Sequence, residues 1–341
     1  MTAVLKIHRA GPGVTVQDLG RHGLVDMGIA RGGVADRHAV SEGAALLGQS
    51  TENAVIEMMG LGGEFEASED VRIALTGAPM RAQIDGTQLA WNASHMLPAG
   101  ARLVIGAALR GCYGYLHVGG GIATKPLLGA RATHVSAGLG AALQAGDNLD
   151  LGEDNGTQTG DYLDEDDRFL GGPVRMVRSF QTHVFADDDI TRFQATPLKR
   201  DPRANRMGVR LTPTGKGFQA ANGRNVLSES IMPGDIQVTG DGTPFVLMAE
   251  CQTIGGYPRI GTVLPCDLPR VAQAPAGAEL WFRIVDLDEA IEIERADAAL
   301  RATYGQQKKP LIRDPRTMGD LLSYNLISGM IAGDEFDEET V

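Results

Sequence analysis

The chain has 341 residues, 43% hydrophobic and 22% charged, and its 31 basic and 43 acidic side chains leave a formal net charge of −12. That balance argues against a basic groove for nucleic acid; no run approaches the ~20 apolar residues of a membrane span, and the N-terminus lacks a signal-peptide core, so a cytoplasmic protein is expected. The 45 glycines are nearly twice the ~7% of average usage and imply many turns between many short strands.

From Val4 to about Leu151 the pattern is strand-like. Val71-Arg-Ile-Ala-Leu-Thr alternates up to Gly77, and Met80-Arg-Ala-Gln-Ile runs into Asp85-Gly86, a type I′ hairpin signal. Leu103-Val-Ile-Gly and Cys112-Tyr-Gly-Tyr-Leu-His-Val are further strands, the second closed by Gly119-Gly-Gly121. One helix is predicted here, over about 35–47, with Asp36 near its N-terminus. The acidic stretch 152–172 reads as a linker between the halves, with a solvated surface loop inside one domain as the alternative. The second half repeats the strand grammar in Val174-Arg-Met-Val-Arg, Gly234-Asp-Ile-Gln-Val, Pro244-Phe-Val-Leu-Met-Ala and Glu279-Leu-Trp-Phe-Arg-Ile, with a short helix over 187–193. Beyond Val285 a helix over 288–304 is expected, then a second, capped by Thr317 and carrying Leu321, Leu322, Leu326 and Ile327, and an acidic tail. The first of these must bury its apolar positions on its own domain or on a partner protein.

Absences narrow the chemistry. There is no phosphate-binding loop, no dinucleotide fingerprint, no G-x-S-x-G elbow and no lysine beside methionine of the kind that carries biotin. No histidine pair or His/Cys cluster suggests a metal, and the three cysteines, Cys112, Cys251 and Cys266, read as reduced buried thiols. What remains is polar residues clustered beside glycines. Gln17, Asp18 and Arg21 surround a tight turn, and Asp36 stands at a helix start, where the macrodipole favours its charged form. Arg206 and Arg210 alternate along an extended segment, which places both on one face. Gln252, Thr253 and Tyr257 flank a Gly255-Gly256 bend, with side chains suited to a small planar amide, ureido or carboxylate ligand. A plain helix cap, a surface ion-pair strand and a structural loop are the alternatives for these clusters.

Together the clusters resemble the second-subunit family of allophanate hydrolase and urea amidolyase carboxyltransferases, whose stand-alone bacterial members are read as the C-type subunit of 5-oxoprolinase. The matching phrases include Val16-Gln-Asp-Leu-Gly-Arg21, Gly33-Val-Ala-Asp36, Val118-Gly-Gly-Gly-Ile122, Asn205-Arg-Met-Gly-Val-Arg-Leu211, Gly234-Asp-Ile-Gln-Val238, Gln252-Thr-Ile-Gly-Gly-Tyr-Pro258 and Asp267-Leu-Pro-Arg-Val-Ala-Gln273, in order over residues 4–285. The resemblance implies a mainly β chain of two cyclophilin-like β-barrels, over 1–155 and 173–286, with a few short helices and a helical extension and tail over 287–341. It also implies a first-subunit homologue of the B type as partner, together with an A-type component. In such a complex 5-oxoproline is opened to glutamate with ATP hydrolysis, and this chain binds no covalent cofactor of its own. Two other roles are implied by the same family. One is a carboxyltransferase subunit that takes CO2 from carboxybiotin on a separate carrier to a urea-like nitrogen; the other is a non-catalytic regulatory partner of a kinase-inhibitor-like first subunit. On this reading Asp36 accepts a proton or hydrogen bond from the substrate nitrogen, Arg206 and Arg210 hold a carboxylate, and Gln17, Asp18, Arg21, Gln237, Gln252, Thr253 and Tyr257 bind substrate. All converge on one cleft between the halves. The sequence departs from the family pattern at Ala44 and Gln49, where the family carries asparagine, and at Glu250-Cys251, where it carries Asp-Arg.

Overall fold

The computed structural model describes residues 3–220, 226–312 and 316. The mainly β expectation holds. In the first half the strands form a six-stranded sheet, in the order Asn148–Asp150, Val4–Ala10, Gly63–Ala67, Arg102–Ala108, Met80–Ile84, Thr87–Gln88. A seven-stranded sheet runs Thr15–Gln17, Val55–Met59, Tyr113–Val118, Val71–Gly77, Ala93–Leu97, Asp161–Tyr162, Lys309–Pro310. Leu5, Ile7, Phe65 and Leu103 from the first sheet share one core with Ile56, Ile73, Leu116 and Val118 from the second. Asp85 and Gly86 both have positive φ, 45° and 86°, as the type I′ reading requires.

The second half closes into a barrel of seven strands, in the order Gly172–Val177, Arg259–Val263, Asp235–Val238, Pro244–Leu247, Gly208–Pro213, Leu198–Arg200, Glu279–Ile284. The one parallel pairing, of Gly172–Val177 with Glu279–Ile284, joins the ends of the ring. Val209, Leu211, Ile236, Val238 and Val246 point into its core. Strand alternation therefore sends Arg210, Gln237 and Phe245 to the outside.

Four α-helices are described: α1 (Arg37–Leu47), α2 (Asp187–Ala195), α3 (Leu268–Gln273) and α4 (Leu287–Ala302). α1 lies on the seven-stranded sheet with Gly43 against the ring of His117, where a Cβ would overlap that ring. A glycine inside a helix ordinarily costs about 1 kcal/mol relative to alanine; here it admits the buried imidazole. Gln49, at one departure from the family pattern, is a clamp: its side chain donates to Val118 O at 3.2 Å and accepts from Gly120 N at 3.0 Å, steadying the glycine run. Ala44, at the other, is buried in α1.

The stretch expected to be a linker is built into the molecule. Asp161–Tyr162 joins the seven-stranded sheet, and Arg168 is buried beneath α1. Of the apolar positions expected on the helix after Val285, Ala290 is buried on the chain's own surface, while Ile291, Ala298 and Leu300 are exposed. α4 packs Ala290 with Leu264, Cys266 and Val285 of the second half, while its Asp297 reaches back to α1, and Lys309–Pro310 then extends the first-half sheet. The expected second helix after Thr317, and the acidic tail, lie outside the described residues.

Candidate functional site

The N-cap of α1 sets the first group. Asp36 Oδ1 accepts from His38 N at 2.9 Å and Ala39 N at 3.1 Å. Its Oδ2 accepts from Arg168 Nε at 2.8 Å and from Gln273 Nε2 at 2.9 Å. Burial opposes its ionisation, but Arg168, His38, Gln273 and the Ala39 amide outweigh that and hold the carboxyl below its ordinary value. With 0% exposure and both oxygens occupied, Asp36 presents nothing to a ligand. It ties α1 to Arg168 and, through Gln273, to the second half; Gln273 Oε1 also accepts from the amides of Cys112 and Tyr113.

Arg206 sits in the same buried seam. Its Nε donates to Glu250 Oε1 at 2.5 Å, Nη1 pairs with Glu57, and Nη2 donates to Gly33 O at 2.6 Å. Glu57 Oε2 accepts from Tyr115 Oη at 2.7 Å and Ala35 N at 2.8 Å, and Tyr115 Oη accepts from Asp36 N at 2.9 Å. Burial lowers the Arg206 pKa, but Glu57 and Glu250 prevail and leave it raised. The expectation that Arg206 and Arg210 share one face is corrected here. Arg206 lies in the bend before the strand and turns inward, whereas Arg210 lies in the strand and faces out, its Nη1 2.8 Å from Asp201 Oδ2.

Gln17, Asp18 and Arg21 form a further cluster in the first half, beside the seam: the Glu250 carboxylate acts on Arg21, whose Nε and Nη1 are buried without partners, and lies 3.8 Å from His134 Nδ1. Gln17 Nε2 donates to Thr15 Oγ1 at 2.9 Å and Thr133 O at 3.0 Å; Asp18 accepts from Gly20 N at 2.8 Å and Arg131 N at 2.5 Å; Arg21 Nη2 donates to Ala132 O at 2.5 Å. These bonds secure the loop around residues 130–134. Thr253 is buried, and its carbonyl accepts from Ile231 N at 3.0 Å.

The remaining candidates meet on the outer face of the second-half barrel. Three adjacent strands set Arg210 opposite Phe245 and Phe245 opposite Gln237, a cross-strand row. Above it lies a pocket of about 370 Å³ lined by residues that include Gln237, Phe245, Leu247, Gln252, Tyr257, Asn205 and Arg203. Gln237 is 7% exposed, and its Nε2 is buried without an acceptor. A buried amide donor left unmade costs about 1–3 kcal/mol, and this one lies beside Gly255, where a Cβ would overlap it. At the rim, Asp201 serves two guanidiniums, those of Arg203 and Arg210, and its carboxyl is held far below its ordinary value by Arg203 first. One carboxylate between two arginines leaves a local excess of positive charge. Gln252 and Tyr257 are exposed at the opening, and burial pushes the Cys251 thiol up to about 12, which leaves it unreactive.

The single cleft expected from the sequence is thus divided into a buried seam holding Asp36 and Arg206, and an outer-face pocket holding Gln237, Gln252 and Tyr257. Chain direction explains the division: around 205–207 Asn205 and Met207 line the pocket while Arg206 turns the other way, and in the turn after Leu247 Glu250 faces Arg206 while Cys251 and Gln252 line the pocket. Sequence reasoning missed Glu57, Tyr115, Arg168 and Gln273. Two signals were present: a lone glutamate in Val55-Ile-Glu-Met-Met59, and a lone arginine after four acids in Asp164-Glu-Asp-Asp-Arg168. Among the described residues no group of three or more His, Cys, Asp or Glu could hold a metal, and no helix is long and apolar enough to cross a membrane.

Residues 27–284 match the family model of the carboxyltransferase domain, subdomain A and B. The chain is 33% identical over 296 residues to the C-type subunit of 5-oxoprolinase from Escherichia coli, covering 85% of this chain and 94% of that one. It is 30% identical to the protein of the same name from Haemophilus influenzae, covering 82% and 91% of the two chains. Among solved structures, TTHA0988 superposes with a TM-score of 0.75 at 28% identity, covering 83% of this chain and 56% of that one. The Kluyveromyces lactis urea amidolyase superposes at 0.80 and 19% identity, over 92% and 21%, a likeness of fold. The chain therefore belongs to the carboxyltransferase domain family of subdomains A and B.

Proposed function

We propose that this chain is the C-type subunit of an ATP-hydrolysing 5-oxoprolinase and works with B-type and A-type subunits to open 5-oxoproline to glutamate. The observation that carries the reading is the 33% identity to the Escherichia coli protein named as the C-type 5-oxoprolinase subunit, along 94% of that protein's length. The outer-face pocket supplies complementary chemistry. 5-Oxoproline is a flat lactam with a carboxylate. Gln237 Nε2 would donate to the lactam oxygen and draw electron density from the carbonyl that water must attack. Arg203, sharing Asp201 with Arg210, would meet the carboxylate, and Phe245 and Leu247 would cover the ring. A carboxamide oxygen of Gln252 or Asn205 would accept the lactam N–H. Asp36, Arg206, Gln17, Asp18, Arg21 and Thr253 would hold the scaffold and not the substrate. ATP chemistry belongs to the assembled complex on this reading.

The second reading is a carboxyltransferase subunit of a urea-type carboxylase, favoured by the likeness of fold to the urea amidolyase. Reconstitution separates the two. The chain mixed with A-type and B-type subunits should release glutamate from 5-oxoproline only with ATP and only when this chain is present. Glutamate release that is indifferent to this chain, or carboxylation of urea by a mixture with a biotin carboxylase and its carrier, would contradict the proposal.

A further inference from the structure

A second cleft, of about 290 Å³, opens between the two halves and shares no lining residue with the outer-face pocket. Its walls include Leu19, Val34 and Met248, and three arginines line it: Arg31, Arg37 and Arg301. The carboxylates nearby are already committed. Asp297 accepts from Arg37 Nη2 at 2.6 Å and Arg301 Nε at 2.9 Å, and it also pairs with His38; Glu294 accepts from Arg37 at 2.9 Å and from Cys266 N at 2.7 Å. Arg31 is bonded only through Nε, to Leu19 O at 3.0 Å, and has no ion-pair partner among the described residues. Arg37 Nε is buried without an acceptor. The wall, and then the like charge of Arg37, depress the Arg31 pKa, and the exposed Glu52 offsets this only in part. Asp36 already takes the first amides of α1, so side chains alone are left to hold an anion here.

We propose that this junction cleft binds a small organic oxyanion, a carboxylate or phosphate ester on a short apolar body. The head lies between Arg31 and Arg37, and the body lies against Leu19, Val34 and Met248. Both halves and α4 contribute to the walls, so an occupant opposes their separation. This site is independent of the activity proposed above.

The test uses the full chain, with hexanoate and butyl phosphate as probes and sodium chloride at matched ionic strength as the control. At least one probe should raise the melting temperature saturably, by roughly 2–5 °C. The probe that binds more tightly assigns the head group. Arg31→Gln removes a side chain with a single backbone bond, so the fold should survive; the apparent Kd should weaken at least about tenfold. Gln237→Ala, in the other pocket, should leave the response intact. No saturable rise above the chloride control with either probe, or a full response in Arg31→Gln, would overturn the proposal, while 5-oxoprolinase activity would stand or fall on its own assay.

Discussion

Arg206 shows how one side chain can matter for a reason its sequence context conceals. It stands between Glu57 and Glu250, side chains that are nearly inaccessible, and its own exposure is 10%. Removing it strands two buried carboxylates, a loss of about 3–5 kcal/mol. Arg206→Ala should therefore lower the urea midpoint of the isolated chain sharply, before any partner or substrate is added. An unchanged midpoint with lost activity would return Arg206 to the substrate. The outer-face pocket has the opposite signature. Gln237→Ala should leave stability equal or slightly higher, because it deletes an unpaired buried amide. Glycine punctuation drew attention to Gln252 and Tyr257, and the family phrase Gly234-Asp-Ile-Gln-Val238 to Gln237, three residues that line one pocket. What they could not tell was direction: whether residue 206 turns inward or outward depends on a bend before the strand that the alternating pattern does not encode.

At the scale of elements, α1 and the strand Tyr113–Val118 meet at His117. The imidazole is buried, with Nε2 2.8 Å from Thr76 Oγ1, and burial pushes its pKa down to about 3. A histidine that folding holds neutral binds its proton more readily in the unfolded chain. Its contribution is complete above the unfolded value near 6.5 and is lost progressively as pH falls from there towards 3. Within that window it makes stability fall by up to about 1.4 kcal/mol per pH unit. Melting temperatures measured from pH 7 to 5 should fall, and His117→Gln, although less stable at pH 7, should show a shallower fall. Equal slopes would remove His117 from the acid response. Helix and hairpin were legible from cap and turn residues, as Asp36 and Asp85-Gly86 show. The strands Val55–Met59 and Ala93–Leu97 were not: the first is buried on both faces and loses the alternation that exposes a period of two, and the second, Ala-Ser-His-Met-Leu, carries no β-branched or aromatic residue.

For the whole molecule, the inter-half seam is polar. Asp36, Arg168, Glu57, Tyr115, Arg206, Glu250 and Gln273 form one connected set with few unmet bonds, and α4 straps across it through Asp297. Such a seam requires both halves in one arrangement, since parting them leaves charges without partners. The halves could be expected from repeated strand grammar, but their joint could not: it depends on pairs separated by more than 100 residues, such as Arg168 with Asp36 and Arg206 with Glu57. The seam holds the barrel whose outer face carries the pocket proposed for the lactam, and that division of labour is the central claim. Its most direct test is the steady-state kinetics of the reconstituted complex carrying Gln237→Ala. The expected result is a KM for 5-oxoproline raised about tenfold or more and a lowered kcat, with the melting temperature of the chain unchanged or higher. Wild-type KM and kcat in a well-folded Gln237→Ala complex would contradict the account.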